Sequence, residues 1–183
     1  MKSLFALPLL CLPALSAAGG LALSIDVPRI DVAAYHNPYV AAWIEREDNT
    51  AAANLAVWYQ QKKGEARKGP DGKPLRGGGE SGTKWLPDLR QWWRRSGRTQ
   101  TVPIDGVTGA TRPPGRHEVQ IDGADARIAS LPPGNYRLVV EAAREDGGRE
   151  VVKLPFAWPA KTSATQQAQG SSELGAVTLT LSP

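Results

Sequence analysis

The chain has 183 residues, 41% of them hydrophobic, and carries 22 Lys and Arg against 18 Asp and Glu, a formal charge of +4. That is enough apolar material for one proper core and far short of the basic excess of a nucleic-acid-binding domain, so no nucleic-acid partner is expected. One cysteine and two histidines argue against a disulfide framework, a thiolate metal site or a paired-histidine zinc site.

Residues 1–18 read as a signal peptide: Lys2 makes a positive start, Leu4 to Leu15 form an apolar run, and Ser16-Ala17-Ala18 offers small residues for cleavage. The run is too short to span a bilayer comfortably. Leu10 is too large for the usual lipoprotein cleavage box before Cys11, so a soluble, exported, periplasmic protein cleaved near Ala18 is expected. Removing Lys2 and Cys11 with the leader lowers the charge to +3 and leaves no thiol. Residues 19–183 are then expected to form a single β-sandwich domain.

Strands are expected at Leu21–Val27, which alternates, and at Tyr39–Glu45 and Leu55–Tyr59, which are apolar and aromatic. Gln60 to Gly82 is polar and glycine-rich and reads as a long loop. Residues 61–98 hold eleven Lys and Arg against four Asp and Glu. This is either a solvated basic surface or a field that draws in an anionic cofactor such as the pyrophosphate of FAD. Trp85, Leu86, Leu89, Trp92 and Trp93 fall on one face of an amphipathic helix, with Thr83 or Ser81 as its cap, Pro87 in its first turn, Arg94 and Arg95 in its last, and Gly97 ending it. Its tryptophans either pack on a sheet or set one indole edge beside an isoalloxazine ring.

The stretch Asp105-Gly106-Val107-Thr108-Gly109-Ala110-Thr111 follows, rich in small residues that let a ligand approach the backbone. Arg112-Pro113-Pro114 holds the chain extended beyond it. Such a composition also makes an ordinary turn. The spacing Asp105-x-x-Thr108-Gly109-Ala110-Thr111 resembles the sequence at which bacterial flavin transferases attach FMN through a phosphodiester. The resemblance implies Thr111 as the acceptor, with Asp105, Thr108, Gly109 and Ala110 shaping the recognised turn.

Further strands are expected at His117–Ile121, Tyr136–Ala142, Val151–Trp158 and Val177–Leu181, with a second polar loop from Lys161 to Gly170. The whole reads as mainly β, an immunoglobulin-like sandwich with one short helix and long loops. No serine nucleophile elbow or phosphate-binding loop is present. The carboxylate pairs Glu45/Glu47 and Glu145/Asp146 fall at strand ends and turns, and His36 reads as a loop or edge residue. A classical hydrolase is not indicated.

Longer strings carry a family likeness: Tyr35 to Glu45, Lys84 to Trp93, Asp105 to Gly115 and Tyr136 to Glu145. On these the chain is identified as a member of domain-of-unknown-function family 2271, predicted periplasmic proteins. The resemblance implies an exported electron-transfer setting, with an FAD:protein FMN transferase and a membrane-bound PepSY-type reductase as partners. The latter half also resembles the immunoglobulin-like domain of flagellar-hook capping proteins at Asp122-Gly123 and Pro133-Gly134-Asn135-Tyr136, departing from it at Gln120. The expected function is a periplasmic electron carrier with FMN on Thr111. It would be loaded by a transferase that needs Mg²⁺ and would not itself be an enzyme. The rivals are a flavin-free sandwich serving metal or haem uptake, and a structural domain of a surface assembly.

Overall fold

The computed structural model describes residues 19–61 and 82–183. Nine strands run in chain order: β1 Gly20–Val27, β2 Tyr39–Arg46, β3 Ala51–Tyr59, β4 Thr108–Ala110, β5 Gly115–Ile121, β6 Gly134–Ala143, β7 Arg149–Trp158, β8 Ala164–Gln169 and β9 Ala176–Ser182. Two short helices, α1 Arg90–Arg95 and α2 Ala126–Ala129, and two 3-10 turns, Gly82–Asp88 and Gly97–Thr99, complete the described elements. One sheet has the order β5-β1-β9-β8 and the other β4-β3-β2-β6-β7. Every pairing is antiparallel except that of β4 on β3. The expected mainly-β sandwich is what the chain forms.

The two sheets differ in what covers them, and the sequence shows why. β1 and β9 alternate strictly: Leu21, Leu23, Ile25 and Val177, Leu179, Leu181 are buried, while the residues between them are partly open to solvent. That is a sheet with one wet face. β2 and β6 are apolar almost without a break because both their faces are covered. Val40, Ala42, Ile44, Leu138 and Val140 face the other sheet. Ala41, Trp43, Val57, Tyr59 and Val139 form a second core on the outside, closed by Leu86, Leu89 and Trp92.

That closing segment is not the single helix the apolar spacing predicts. Pro87 has no N–H to donate and disfavours helical backbone at Leu86 before it, which breaks the expected helix, and Gly82–Asp88 winds as a 3-10 turn. The chain then passes through Leu89 (φ −73°, ψ 69°) before α1 begins. No side chain of the segment caps α1, so Thr83 does not serve as expected, and Ser81 lies outside the described residues. Gly97 follows the C-cap Ser96, where the helix is expected to end, and it also leaves room for the indoles: a Cβ there would come within 2.6 Å of the Trp92 ring and 2.8 Å of Trp93. Trp92 is fully buried, which fits core packing, whereas Trp85 is 47% exposed.

Within the polar stretch Lys161–Gly170, expected as a loop, Ala164–Gln169 is instead the edge strand β8, paired with β9 from Ala164↔Leu181 to Gln169↔Ala176. Ala-Thr-Gln-Gln-Ala-Gln carries no apolar stripe because this edge covers little core. After it, the Ser171–Leu174 loop closes over Glu150 of β7. The Glu150 carboxylate accepts from the Ser171 amide at 2.5 Å, the Ser172 amide at 3.0 Å, the Leu174 amide at 2.9 Å and the Ser171 hydroxyl at 2.8 Å. Partial burial opposes its charge, but these donors win and hold the carboxyl at about 2, below its ordinary 4.5. A depressed carboxylate stabilises the fold above its unfolded pKa and stops doing so as pH falls through the folded value. Glu150→Gln should therefore cost about 1–2 kcal/mol at neutral pH, a figure discounted for solvent screening. The difference from the wild type in urea midpoint should close between pH 4.5 and 2.

Candidate functional site

The Asp105–Thr111 stretch is built as a turn followed by an edge strand. The Thr108 hydroxyl takes the Ile104 amide at 2.6 Å and gives to the Ile104 carbonyl at 2.5 Å. The Val107 and Thr108 amides reach the same carbonyl. Asp105 and Gly106 are left exposed at the tip. Gly106 is in the left-handed region (φ +68°), where a glycine carries no steric penalty.

Arg127 fixes this turn from outside. Its guanidinium donates to the Gly106 carbonyl at 2.9 Å and to the Leu55 carbonyl at 3.2 Å. Asp125, bonded to the Arg127 side chain at 2.8 Å and to its amide at 2.9 Å, caps α2 and holds the arginine in place. The Arg127 side chain, then its amide, keep the Asp125 carboxyl at about 2.

Beyond the turn, β4 lies parallel to β3 with Thr108 beside Val57, Gly109 beside Trp58 and Ala110 beside Tyr59. The Val57 amide bonds the Val107 carbonyl, and the Thr111 amide still bonds the Tyr59 carbonyl at 3.2 Å, one residue past the strand's end. Gln61 donates to the Gly109 carbonyl at 3.2 Å. Gly109 sits close under the indole, since a Cβ there would lie 3.3 Å from Trp58 Cδ1, a tight contact to which the ring would have to give way. By strand alternation Thr111 returns to the face that carries Gly109 and Trp58.

Three side chains gather on that face. The Arg112 guanidinium lies over the Trp58 ring, 5.4 Å from its centre. His117 of β5 meets the same indole edge-on at 5.8 Å, with its Nε2 2.7 Å from the Pro113 carbonyl. Trp58 itself is 3% exposed, so the arginine and histidine cover what the strands leave open. Among the described residues the Thr111 hydroxyl has no hydrogen-bond partner, and Thr111 is half-buried. The two threonines of the stretch thus differ: Thr108 spends its hydroxyl on the backbone, and Thr111 keeps its own free.

The arrangement offers an accessible alcohol on a fixed strand end, small residues on either side of β4, and a guanidinium nearby. These are the features a covalently tethered phosphate ester requires: a nucleophilic oxygen, room and a positive neighbour. Among the described residues no group of three or more His, Cys, Asp or Glu is placed to hold a metal ion.

Other candidates from the sequence are dispersed. His36 is exposed ahead of β2, its Nδ1 3.7 Å from the Glu145 carboxylate, and Glu145 and Asp146 sit in the β6–β7 turn. Glu45 is one residue from the end of β2, as expected, but it is fully buried there, 3.1 Å from Lys153 Nζ and 3.6 Å from Arg95 Nε. Most of the basic loop, residues 62–81, and the leader with its cleavage site lie outside the described residues. Trp85 borders a recess of about 280 Å³ with Tyr39, Asp88, Ala143 and Arg144, on the sheet's outer side.

Glu141 was missed by reasoning from sequence. Its carboxylate, fully buried on β6, accepts from the amides of Gln91 at 3.0 Å and Trp92 at 2.7 Å and from Arg149 Nε at 2.6 Å. It supplies from the sheet the cap that α1 lacks. The signal was present as a lone acid inside the apolar run Val139-Val140-Glu141-Ala142-Ala143.

The model of one family, described as predicted periplasmic protein (DUF2271), matches residues 20–176. That description agrees with the export expected from the leader. No curated protein and no solved structure matches the chain.

Proposed function

We propose that this chain, which belongs to the DUF2271 family of predicted periplasmic proteins, carries FMN covalently on Thr111 and works as an electron-transfer protein. The observation that carries this reading is the contrast within one short stretch. The Thr108 hydroxyl is consumed by Ile104, while the Thr111 hydroxyl stands half-exposed and without a partner among the described residues at the end of an edge strand. The likeness of the stretch to a flavin-attachment sequence, and the family's periplasmic setting, support it further.

Attachment is a phosphoryl-group transfer. Thr111 Oγ1 attacks the flavin-side phosphorus of FAD, a new P–O bond forms, the pyrophosphate P–O bond breaks, and AMP leaves while the threonine proton is lost to a base of the transferase. The protein is a substrate of that Mg²⁺-dependent FAD:protein FMN transferase and not an enzyme. The bound flavin supplies reversible redox chemistry, and the protein supplies position and electrostatics. Asp105 and Gly106, exposed at the tip, present the turn; Gly109 and Ala110 keep the strand thin beside the acceptor. A PepSY-type membrane reductase is the proposed partner. Kinship with immunoglobulin-like domains belongs to the same proposal, supported by the Tyr136 hydroxyl's 2.7 Å bond to the Pro132 carbonyl.

A second reading rests on the exposed Trp85 and its adjoining recess: a flavin-free binding module accessory to metal or haem uptake. Intact mass separates the two. Exported from cells that also express an FMN transferase, and then denatured, the mature protein should be heavier by one FMN less water. An unmodified mass beside a known acceptor labelled in the same cells sinks the carrier reading and leaves the binding module.

A further inference from the structure

We infer that Arg112 is the residue that holds the phosphate joining flavin to protein, an assignment that rests on the carrier reading above. Arg112 follows the acceptor directly, yet its side chain does not run on along the chain. A Cβ placed on Gly109 would lie 3.9 Å from Arg112 Nη2 as well as 3.3 Å from Trp58 Cδ1. The guanidinium is therefore folded back onto the face shared by Gly109 and Thr111, with the indole of Trp58 beneath it.

What Arg112 lacks is as informative as what it has. Among the described residues it makes no hydrogen bond and no ion pair; its one described interaction is with the Trp58 ring. An arginine over an aromatic face keeps its N–H donors in the guanidinium plane, directed outward and available for a phosphate. Three other arginines are committed to carboxylates, Arg127 to Asp125, Arg144 to Glu173 and Arg149 to Glu141, whereas Arg112 keeps its donors unspent beside Gly109. Next to the acceptor there is thus an uncommitted cation on a fixed platform, with His117 packed against the same indole.

A phosphodiester on Thr111 Oγ1 adds one negative charge at this spot. Gly109, beside which the guanidinium lies, and Thr111 are two residues apart, roughly 7 Å along an extended chain, a gap that the phosphate and the guanidinium bridge from either side. The indole face of Trp58 is already taken by Arg112, so the isoalloxazine ring does not stack there. Arg112 acts on the phosphate and ribityl end and restricts the tether from its root. It is a positioning residue.

The test uses the full flavin-loaded protein, with wild type, Arg112→Ala and Arg112→Lys compared after intact mass has confirmed loading. In the wild type the tethered flavin should lack large-amplitude sub-nanosecond motion in its fluorescence anisotropy decay. Arg112→Ala should show a fast component of at least twice the wild-type amplitude and a displaced phosphodiester ³¹P resonance, and Arg112→Lys should recover part of both. High salt should bring the wild type towards the alanine variant, because a charge contact at an open site is screened. Decays and ³¹P shifts that are the same in wild type and Arg112→Ala overturn the assignment while leaving the carrier reading intact. Absence of the mass gain in the wild type strikes the carrier reading itself.

Discussion

Thr111→Ala is expected to leave the exported protein at its unmodified mass in cells where the wild type gains one FMN less water, and Thr111→Ser should restore the gain. The loss should be complete, because it removes the bond-forming atom. The geometry also says why the neighbouring threonine does not substitute. Thr108 Oγ1 is held between the Ile104 amide and carbonyl at 2.6 and 2.5 Å, inside the turn. Attack from that oxygen would undo the turn that presents the strand. Thr108→Ala should accordingly leave Thr111 as the modified residue, with about 1 kcal/mol of stability lost along with the hydroxyl's bonds. A mass gain that survives Thr111→Ala would overturn the acceptor assignment, and peptide mapping of the modified chain would then show where the group resides.

Glu141→Ala should damage the fold severely, at about 3–5 kcal/mol. The carboxylate is fully buried and satisfies two main-chain amides of α1 as well as Arg149. Removing it strands those donors in a dry place and leaves a guanidinium without its counter-charge. The neutral isostere Glu141→Gln keeps the volume but turns an amide N–H₂ towards donors, and should recover only part of the loss. Urea unfolding followed by tryptophan fluorescence measures both, since Trp92 sits on the affected turn and bonds Asn54 Oδ1 through Nε1 at 2.9 Å. A loss under about 1 kcal/mol for the alanine variant would show that α1 is held by apolar packing alone.

The sequence displays what repeats and conceals what occurs once. β1 and β9 were legible because Leu21, Leu23, Ile25 and Val177, Leu179, Leu181 alternate, and β2 because an unbroken apolar run means two covered faces. β8 was not, because an edge strand of Thr, Gln and Ala has no core to announce it. β4 reads as a turn for a like reason: Thr-Gly-Ala has no apolar period, and its strand character comes from Trp58 and Tyr59, some fifty residues away in the chain. The break in the tryptophan-rich segment follows from Pro87, whose missing N–H outweighed the spacing of Leu86, Leu89 and Trp92. In the candidate site the small residues and the threonines were visible from the start. That Thr108 is occupied and Thr111 idle, and that Arg112 turns back over Trp58, are facts of tertiary contact that no local pattern encodes.

On the carrier proposal, the brevity of β4 bears on when loading would take place. The strand pairs with the sheet along one side and over three residues, and the acceptor is tied by a single further amide bond, from Thr111 to the Tyr59 carbonyl. Upstream, Val107 is buried and Arg127 pins the turn. The residues around Thr111 thus have few pairings to break, and a local opening there, as entry into a transferase's cleft would need, should cost less than global unfolding. On the carrier proposal, maturation would not have to race against folding: the chain would be exported, complete its core, and take on its cargo as a finished protein.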